Sequence, residues 1–242
     1  MIETVDRIAP TRRPDRRAAG TQRWRSLAFL HWTFPPEVVR PHVPAALELD
    51  LLDGRAAVGL VPFAMEDVRP WWWPPSVSLS FLETNVRTYV VHRGRPGVWF
   101  FSLDASNLPA VVAARVGWGL PYVHARMELE RRAEAIRYAS RRPARPGALD
   151  LTLVPGEPLG PSAPGTREHF LLERYLLFVE RGGTVRDGQV HHAPYPAHAA
   201  SVGALDDSLL AAAGLKAPGG PPEFVHYAPG VDVEVFGLRR VS

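Results

Sequence analysis

Three stretches of this sequence carry side chains that can bind an anion or transfer a proton, each pair at an even spacing along a predicted β-strand. The pairs are Arg25 and His31, Glu83 and Asn85, and Tyr122 and His124. An even spacing places both members of a pair on one face of a strand. A guanidinium group binds a carboxylate through two hydrogen bonds, a glutamate or histidine moves protons, and a phenol donates a hydrogen bond to developing negative charge.

Other catalytic signatures are missing from the sequence. The segment 160–165 fails the spacing of a Gly-x-Ser-x-Gly nucleophile elbow, and neither a phosphate-binding glycine loop nor a His-Glu-x-x-His motif occurs. His191 and His192 would project to opposite faces of a strand, which is poor geometry for a shared metal. The absence of cysteine excludes thiolate catalysis and disulfides. We therefore expect no metal and no cofactor.

Composition favours a cytoplasmic protein that contacts neither nucleic acid nor a membrane. The 242 residues fit one sizeable domain, and 46% hydrophobic with 22% charged residues is ordinary for a globular protein. The formal net charge is only +3 and the arginines are dispersed, so a basic nucleic-acid-binding face is not expected. No apolar run is long enough to span a bilayer, and no secretory signal is recognised at the N-terminus.

The elements predicted from the sequence make an α+β domain dominated by an antiparallel sheet. Residues 1–20 are charged and aperiodic, which predicts a mobile extension before a single domain at 21–242. The strands are predicted at 25–32, 47–63, 76–92, 98–103, 122–132, 135–140, 151–154 and 231–238. The segment 47–63 is interrupted by a hairpin turn predicted at Asp53-Gly54. The helices are predicted at 35–40, 108–116, 167–176 and 205–213. The 25 prolines also favour a loop-rich β architecture.

A tryptophan-rich segment at 71–73 is followed by two prolines, which exclude a central strand and predict a loop tip. We expect the indole rings to fold back over the core. A lid over a pocket and a surface for self-association are the alternatives.

Residues 97–125 resemble the core of the acetoacetate decarboxylase-like superfamily. A strand ending at Leu103-Asp104 leads through a short helix to a Trp-Gly-Leu-Pro turn at 118–121. Residues 25–44 resemble the opening strand and helix of that superfamily, and residues 81–89 resemble the strand that bears its pocket glutamate. Further motifs identify the chain as a member of the uncharacterised bacterial YqjF-like family, domain of unknown function 2071. They lie at 31–32, 58–63, 83–89, 97–105, 120–127, 173–175 and 226–233.

The resemblance implies a cone or barrel of β-strands around a pocket. The pocket arginine of the superfamily falls on Arg25 and its pocket glutamate on Glu83. The two catalytic lysine positions hold Tyr122 and Val123, so Schiff-base decarboxylation is not expected. The only lysine of the chain, Lys216, is predicted to be exposed in a loop. Superfamily members associate, which makes a homo-oligomer plausible.

If the predicted faces point inward, the pocket would bind a small organic acid or carbonyl compound. Arg25 would anchor the anion, Glu83 or His31 would act as the base, and Tyr122 would polarise a carbonyl group. Asn85 and His124 would contact the substrate. This set fits a lysine-independent lyase, hydratase or isomerase.

Three alternatives to this enzyme stay open. The same pocket fits a non-catalytic binding or sensing module. The polar residues could instead form a structural network in which Arg25 pairs with Glu83. The third alternative is a scaffold that interacts through the Trp71–Trp73 loop.

Overall fold

A β-sheet closed into a barrel dominates the computed structural model, which describes residues 5–215 and 219–241. Over those residues seven strands follow one another around the barrel, and the last is hydrogen-bonded to the first. In barrel order they are β1 (Gly20–Phe34), β4 (Arg55–Pro70), β5 (Leu79–His92), β6 (Arg95–Ala105), β11 (Leu176–Arg181), β12 (Thr184–His191) and β14 (Phe224–Arg240). Every neighbouring pair is antiparallel except β6 and β11. The predicted predominance of antiparallel strands is confirmed.

The remaining strands extend or brace the barrel. The extension leaves β14 and runs in the order β13 (His198–Asp207), β10 (Ala148–Pro158), β9 (Ala135–Arg141) and β8 (Arg126–Arg132). Three short strands are β2 (Glu48–Leu49), β3 (Leu51–Leu52) and β7 (Tyr122–His124). The α-helices are α1 (Pro36–Val39), α2 (Leu108–Gly117), α3 (Arg167–Leu172) and α4 (Leu209–Ala212). Within the described ranges, none of the helices is long and apolar enough to cross a membrane.

Local sequence signals explain where several elements begin and end. Asp53 and Gly54 both have positive φ, at 49° and 77°, and make the predicted tight turn before β4. Helix α2 begins after Asn107, whose side chain accepts a hydrogen bond from the Ala110 N–H at 2.9 Å. The helix predicted at 108–116 is thereby confirmed.

Among the predicted elements, two helices are shorter and one strand is interrupted in the structure. The helix predicted at 167–176 ends at Leu172, because Glu173 leaves helical geometry with ψ near 75°. The helix predicted at 205–213 is limited to α4, because Leu205 pairs with Leu151 of β10. The strand predicted at 122–132 is interrupted at Ala125, where the chain passes from a β6 neighbour to a β9 neighbour.

Residues 5–19 lie in the stretch that the sequence predicts to be a mobile extension, yet they contact the barrel. The Asp6 N–H donates to the Gly94 carbonyl at 3.0 Å, and Gln189 Nε2 donates to the Pro10 carbonyl at 2.9 Å. Arg13 pairs with Glu234 at 2.7 Å. Residues 1–4 of the predicted extension and Lys216 lie outside the described residues.

The Trp71–Trp73 segment forms a loop tip at the end of β4, as predicted. The expectation that the indoles fold back over the core is wrong for Trp71 and Trp72, which are 50% and 63% exposed. Arg17 lies over the Trp71 ring at 3.4 Å from its centroid, and Trp73 packs edge-on against Trp72. The loop therefore presents two indoles at the surface.

Both faces of the barrel wall are buried. Side chains such as Leu27 and Phe29 of β1 join an apolar cluster inside the barrel. The alternate residues Ala28 and Leu30 join a second cluster that covers the outer face, together with Leu151 and other residues of the extension. Because water is kept from both faces, β1 is almost continuously apolar from Leu27 to Leu30.

We predict that Gly97→Ala destabilises the barrel where β6 meets β11. A Cβ atom at this position would lie 2.7 Å from the Leu176 carbonyl oxygen, and a backbone atom in a sheet cannot easily withdraw. The free energy of unfolding should fall by about 1–3 kcal/mol, as measured by denaturant titration. Gly117→Ala in α2 is the control, because no atom lies within 4 Å of the position that its new methyl group would take. Equal stability of the two variants would contradict the proposed packing.

Candidate functional site

A cavity of about 190 Å³ lies inside the barrel and is lined by residues from all seven barrel strands. Eight of the lining side chains are aromatic: Trp24, Phe29, Phe63, Phe100, Trp118, Tyr122, Tyr175 and Tyr195. A protein cavity of about 150 Å³ accommodates benzene. The cavity therefore has room for a small organic molecule.

A bulge in β1 determines which of its side chains face the cavity. Ser26 has a φ of 52°, and five residue steps of β1 from Arg25 to Leu30 oppose four steps of β4. Gln22 and Trp24 line the cavity before the bulge, and Leu27 and Phe29 line it afterwards. The extra residue thus reverses the alternation of side chains. Tyr138 Oη donates to the Ser26 carbonyl at 2.8 Å and holds the bulge in place.

Arg25 lies outside the cavity because of this bulge, so its predicted placement is wrong. Its guanidinium group pairs with Asp232 at 2.5 Å and donates to the Val231 carbonyl at 2.9 Å. The alternative network with an Arg25–Glu83 pair is also not formed. Trp24 occupies the inward position that the uninterrupted alternation assigns to Arg25.

Glu83 and Tyr122 form a hydrogen-bonded pair at the cavity wall. Tyr122 Oη donates to Glu83 Oε2 at 2.6 Å, although the two residues come from β5 and from the separate strand β7. The two strands are brought together because each pairs with β6: Glu83 lies opposite Ala105, and Tyr122 lies beside Leu103. The sequence places both residues on cavity-facing strands, but only the fold shows their direct contact.

Burial gives Glu83 proton affinity in the neutral range. The side chain is 3% exposed, and desolvation raises the pKa of its carboxyl group to about 7, against the lowering effects of Tyr122 and Asn85. Burial, followed by the negative charge of Glu83, holds the pKa of Tyr122 well above its ordinary value. Near neutral pH, Glu83 can therefore accept or release a proton while Tyr122 remains a neutral hydrogen-bond donor.

Strand β5 continues this polar line along the cavity. Glu83, Asn85 and Arg87 alternate on one face, and all three line the cavity. Asn85 Oδ1 and Arg87 Nε are buried and have no hydrogen-bond partner among the described residues. The alternation of inward and outward side chains along β5 is readable in the sequence, but the site predicted from the sequence does not include Arg87.

Arg174 also lines the cavity, and its guanidinium group is held by an ion pair and a backbone hydrogen bond. Its Nη1 atom pairs with Asp50 at 2.7 Å, and its Nε atom donates to the Phe170 carbonyl at 2.7 Å. Asp50 also receives two hydrogen bonds from Arg7 in the N-terminal segment, at 2.6 and 2.7 Å. The sequence predicts Arg174 within the helix at 167–176, but in the structure it follows the end of α3. No local sequence signal indicates its position in the cavity.

His31 and His124 do not line the cavity. His31 is fully buried beside Gly59, and its Nε2 atom hydrogen-bonds Tyr89 Oη at 2.7 Å. Burial and the charge of Arg87 hold the pKa of His31 well below its ordinary value, so the imidazole is neutral. His124 is half-buried at the end of the three-residue strand β7. The structure thus brings Glu83, Asn85 and Tyr122 of the predicted site together with Arg87 and Arg174.

The described residues hold no group of three or more metal-ligating side chains arranged around one point. None of the described residues that line the cavity is a lysine. Among the described lining residues, the hydrogen-bonding side chains available to a ligand thus include one carboxyl group, phenols, two amides and two guanidinium groups.

Sequence comparisons with known proteins identify a family and a relative. Residues 21–232 match the family model of DUF2071, described as an uncharacterised conserved protein. The uncharacterised protein YqjF of Bacillus subtilis strain 168 is 34% identical over 229 residues, which cover 91% of this chain and 92% of YqjF.

Solved structures show the same fold at low sequence identity. Acetoacetate decarboxylase from Legionella pneumophila has a TM-score of 0.64 and 14% identity, over 93% of this chain and 88% of the decarboxylase. The enduracididine biosynthesis enzyme MppR, complexed with the condensation product of pyruvate and imidazole 4-carboxaldehyde, also has a TM-score of 0.64 and 14% identity. That match covers 93% of this chain and 90% of MppR. The predicted acetoacetate decarboxylase-like barrel is confirmed.

The raised pKa of Glu83 predicts a specific pH dependence of stability. The folded protein binds this proton more tightly than the unfolded chain, whose glutamate has a pKa of about 4.5. Its contribution to stability is therefore complete below pH 4.5 and is lost as the pH rises through about 7. Between pH 4 and pH 8 the wild type should lose about 3 kcal/mol of unfolding free energy that Glu83→Gln keeps, because glutamine does not ionise.

Denaturant titrations across this pH range measure the difference. Glu134→Gln is the matched control, because Glu134 is exposed in the turn between β8 and β9. Parallel pH profiles for wild type and Glu83→Gln would contradict the raised pKa of Glu83.

Proposed function

We propose that this chain, which belongs to the DUF2071 family as its motifs predict, binds a small organic acid or carbonyl compound in the barrel cavity and transfers a proton to or from it. Glu83 is the proposed proton-transferring residue. Tyr122 is the proposed donor to a carbonyl oxygen, and Asn85 is the proposed ligand contact. A cytoplasmic location and a homo-oligomer stay predictions from the sequence.

The Glu83–Tyr122 pair is the observation that carries this proposal. A carboxyl group with a pKa of about 7 lies 2.6 Å from a neutral phenol at the wall of a cavity of about 190 Å³. A general acid or base works best when its pKa is close to the working pH. The names of the two similar structures refer to small oxo acids. One is an acetoacetate decarboxylase, and the other is MppR complexed with a condensation product of pyruvate.

The proposed reaction step is proton transfer next to a carbonyl group. The ionised Glu83 carboxylate removes a proton from the carbon beside the carbonyl, and the electron pair of that C–H bond moves towards the carbonyl oxygen. Tyr122 turns its hydrogen bond from Glu83 to this oxygen and stabilises the enolate as it forms. Return of the proton from Glu83 to the same or another carbon completes an isomerisation. Loss of a neighbouring leaving group instead completes an elimination.

The described residues of the cavity do not supply the amine that imine chemistry requires. Tyr122 occupies the position where the superfamily resemblance places the catalytic lysine, and no amine side chain occurs among the described lining residues. A phenol cannot form a Schiff base with a ketone. The proposed activity is therefore lysine-independent.

Two other functions each have an observation in their favour. A non-catalytic binding or sensing module would use the same cavity and its unpartnered polar atoms. A scaffold would use the loop in which Trp71 and Trp72 are exposed. If the loop mediates self-association, Trp72→Ser should shift the sedimentation of the protein towards the monomer.

We predict that the protein accelerates exchange of the methyl protons of pyruvate in deuterated water. Glu83→Gln should slow this exchange by about 10²–10⁴-fold, because it removes the base, while the affinity for pyruvate changes little. Tyr122→Phe should slow exchange and also leave binding measurable. Proton NMR follows the exchange, and calorimetry measures the affinity.

Glu134→Gln is again the control and should exchange at the wild-type rate. Binding of pyruvate without exchange above the buffer rate would reject the enzyme and favour the binding module. Equal exchange by wild type and Glu83→Gln would reject the assigned role of Glu83.

We also predict that borohydride traps no covalent adduct in the presence of acetoacetate. A Schiff base needs a lysine of lowered pKa beside the ligand, and none of the described residues that line the cavity is a lysine. Intact-mass spectrometry of the treated protein should show no added mass. A reduced adduct mapped to Lys216 would contradict the lysine-independent proposal.

A further inference from the structure

We infer that Arg87 and Arg174 form an anion subsite that receives the carboxylate of a small hydroxy acid, an assignment that rests on the proposed function of the same cavity. Neither residue belongs to the site predicted from the sequence. The assignment replaces Arg25, whose guanidinium group is turned away from the cavity towards Asp232.

The two guanidinium groups converge at the end of α3. Arg87 Nη2 donates to the Leu171 carbonyl at 3.3 Å, and Arg174 Nε donates to the adjacent Phe170 carbonyl at 2.7 Å. Their central carbon atoms lie 5.7 and 5.0 Å from the centroid of the same Tyr89 ring. Both residues also line the cavity, and their shared contacts with the Tyr89 ring and with the end of α3 assign them to the same part of it.

Each guanidinium group retains hydrogen-bonding capacity. Arg87 and Arg174 are both 8% exposed, and Arg87 Nε and Arg174 Nη2 have no acceptor within the described part of the chain. A buried N–H donor without an acceptor costs about 1–3 kcal/mol, and more when the group is charged. A carboxylate at this end of the cavity would supply the missing acceptors.

The local ion pairing also favours an anion. Asp50 is the acidic partner of both Arg7 and Arg174, so one carboxylate serves two guanidinium groups. Arg87 has no acidic side chain within 4 Å among the residues that the structure describes, which leaves the cluster with excess positive charge. Buried charges are strongly destabilising unless they are paired. A bound carboxylate would pair with Arg87 and Arg174 together.

The unpartnered Asn85 oxygen favours a ligand that carries a hydroxyl group next to its carboxylate. It lies between Glu83 and Arg87 on one face of β5, with its Cα atom about 7 Å from each neighbour on that face. Its Oδ1 atom is buried and has no donor among the described residues. A ligand that places its carboxylate at Arg87 can donate a hydroxyl hydrogen to Asn85 Oδ1. The carbon that bears this hydroxyl group then lies on the side of Glu83.

Three small probes and two arginine variants test the subsite. The probes are lactate, its uncharged analogue lactamide, and propionate, which lacks the hydroxyl group. Arg87→Met removes the charge at similar length, and Arg25→Met is the matched control on the same barrel but outside the cavity. Calorimetry gives each Kd at constant ionic strength, and thermal denaturation confirms that each variant is folded.

Wild type and Arg25→Met should bind lactate more tightly than lactamide or propionate. Arg87→Met should weaken lactate binding by about 10–100-fold, the range expected for hydrogen bonds to a charged group. It should leave lactamide binding unchanged. If Arg87→Met does not fold, Arg87→Lys takes its place, and the loss of the planar fork should weaken lactate binding severalfold.

Equal affinity of wild type and Arg87→Met for lactate would overturn the subsite. So would equal binding of lactate and lactamide, or no lactate binding by the folded wild type. Failure of the proposed function gives a different result: lactate binding would depend on Arg87, but pyruvate proton exchange would stay at the buffer rate. Glu83→Gln distinguishes the two ideas further, because it should abolish exchange and keep the preference for lactate over lactamide.

Discussion

Closure of the barrel by the β1–β14 ladder is the constraint on which the rest of the structure depends. This pairing joins the first and last strands of the sheet and runs from Gly20 opposite Val235 to His31 opposite Phe224. It removes the free edges of those strands and encloses the side chains that point inward. The outer face of the wall is covered by β8–β10 and α4, so the barrel strands are buried on both sides. Polar groups inside must therefore find partners or change their protonation.

The buried polar groups respond in two different ways. Arg142 and Asp104, outside the cavity lining, form a satisfied pair at 2.7 Å that also includes the hydroxyl group of Ser102. This is the arrangement expected of a structural ion pair. In the cavity, Glu83 retains its proton up to about neutral pH, and Arg87 keeps an unpartnered donor. The Arg142–Asp104 network is complete within the protein. The polar groups of the cavity are incomplete, and this difference is what favours the proposed ligand site in the cavity.

The fold is shared with acetoacetate decarboxylase and MppR, while 14% identity to each leaves the side chains inside the barrel to be read from this sequence. At the position implied for the catalytic lysine, Tyr122 donates to Glu83. A phenol there cannot act as an amine nucleophile, but it can stabilise an oxyanion and orient a carboxyl group. Backbone pairing between strands leaves the inward side chains free to vary, so the shared fold does not by itself specify the chemistry inside the barrel.

The sequence by itself determined the family, the sheet-rich class and the alternation that brings Glu83 and Asn85 to one face of β5. These features depend on local patterning, and the Asn107 cap and the Asp53-Gly54 turn are equally local. Only the tertiary structure decided that Arg25 lies outside the cavity and that Arg174 lines it. The bulge at Ser26 is held by Tyr138 of β9, and Arg174 is held by its pair with Asp50. Such contacts join residues more than a hundred positions apart, so no local pattern encodes them.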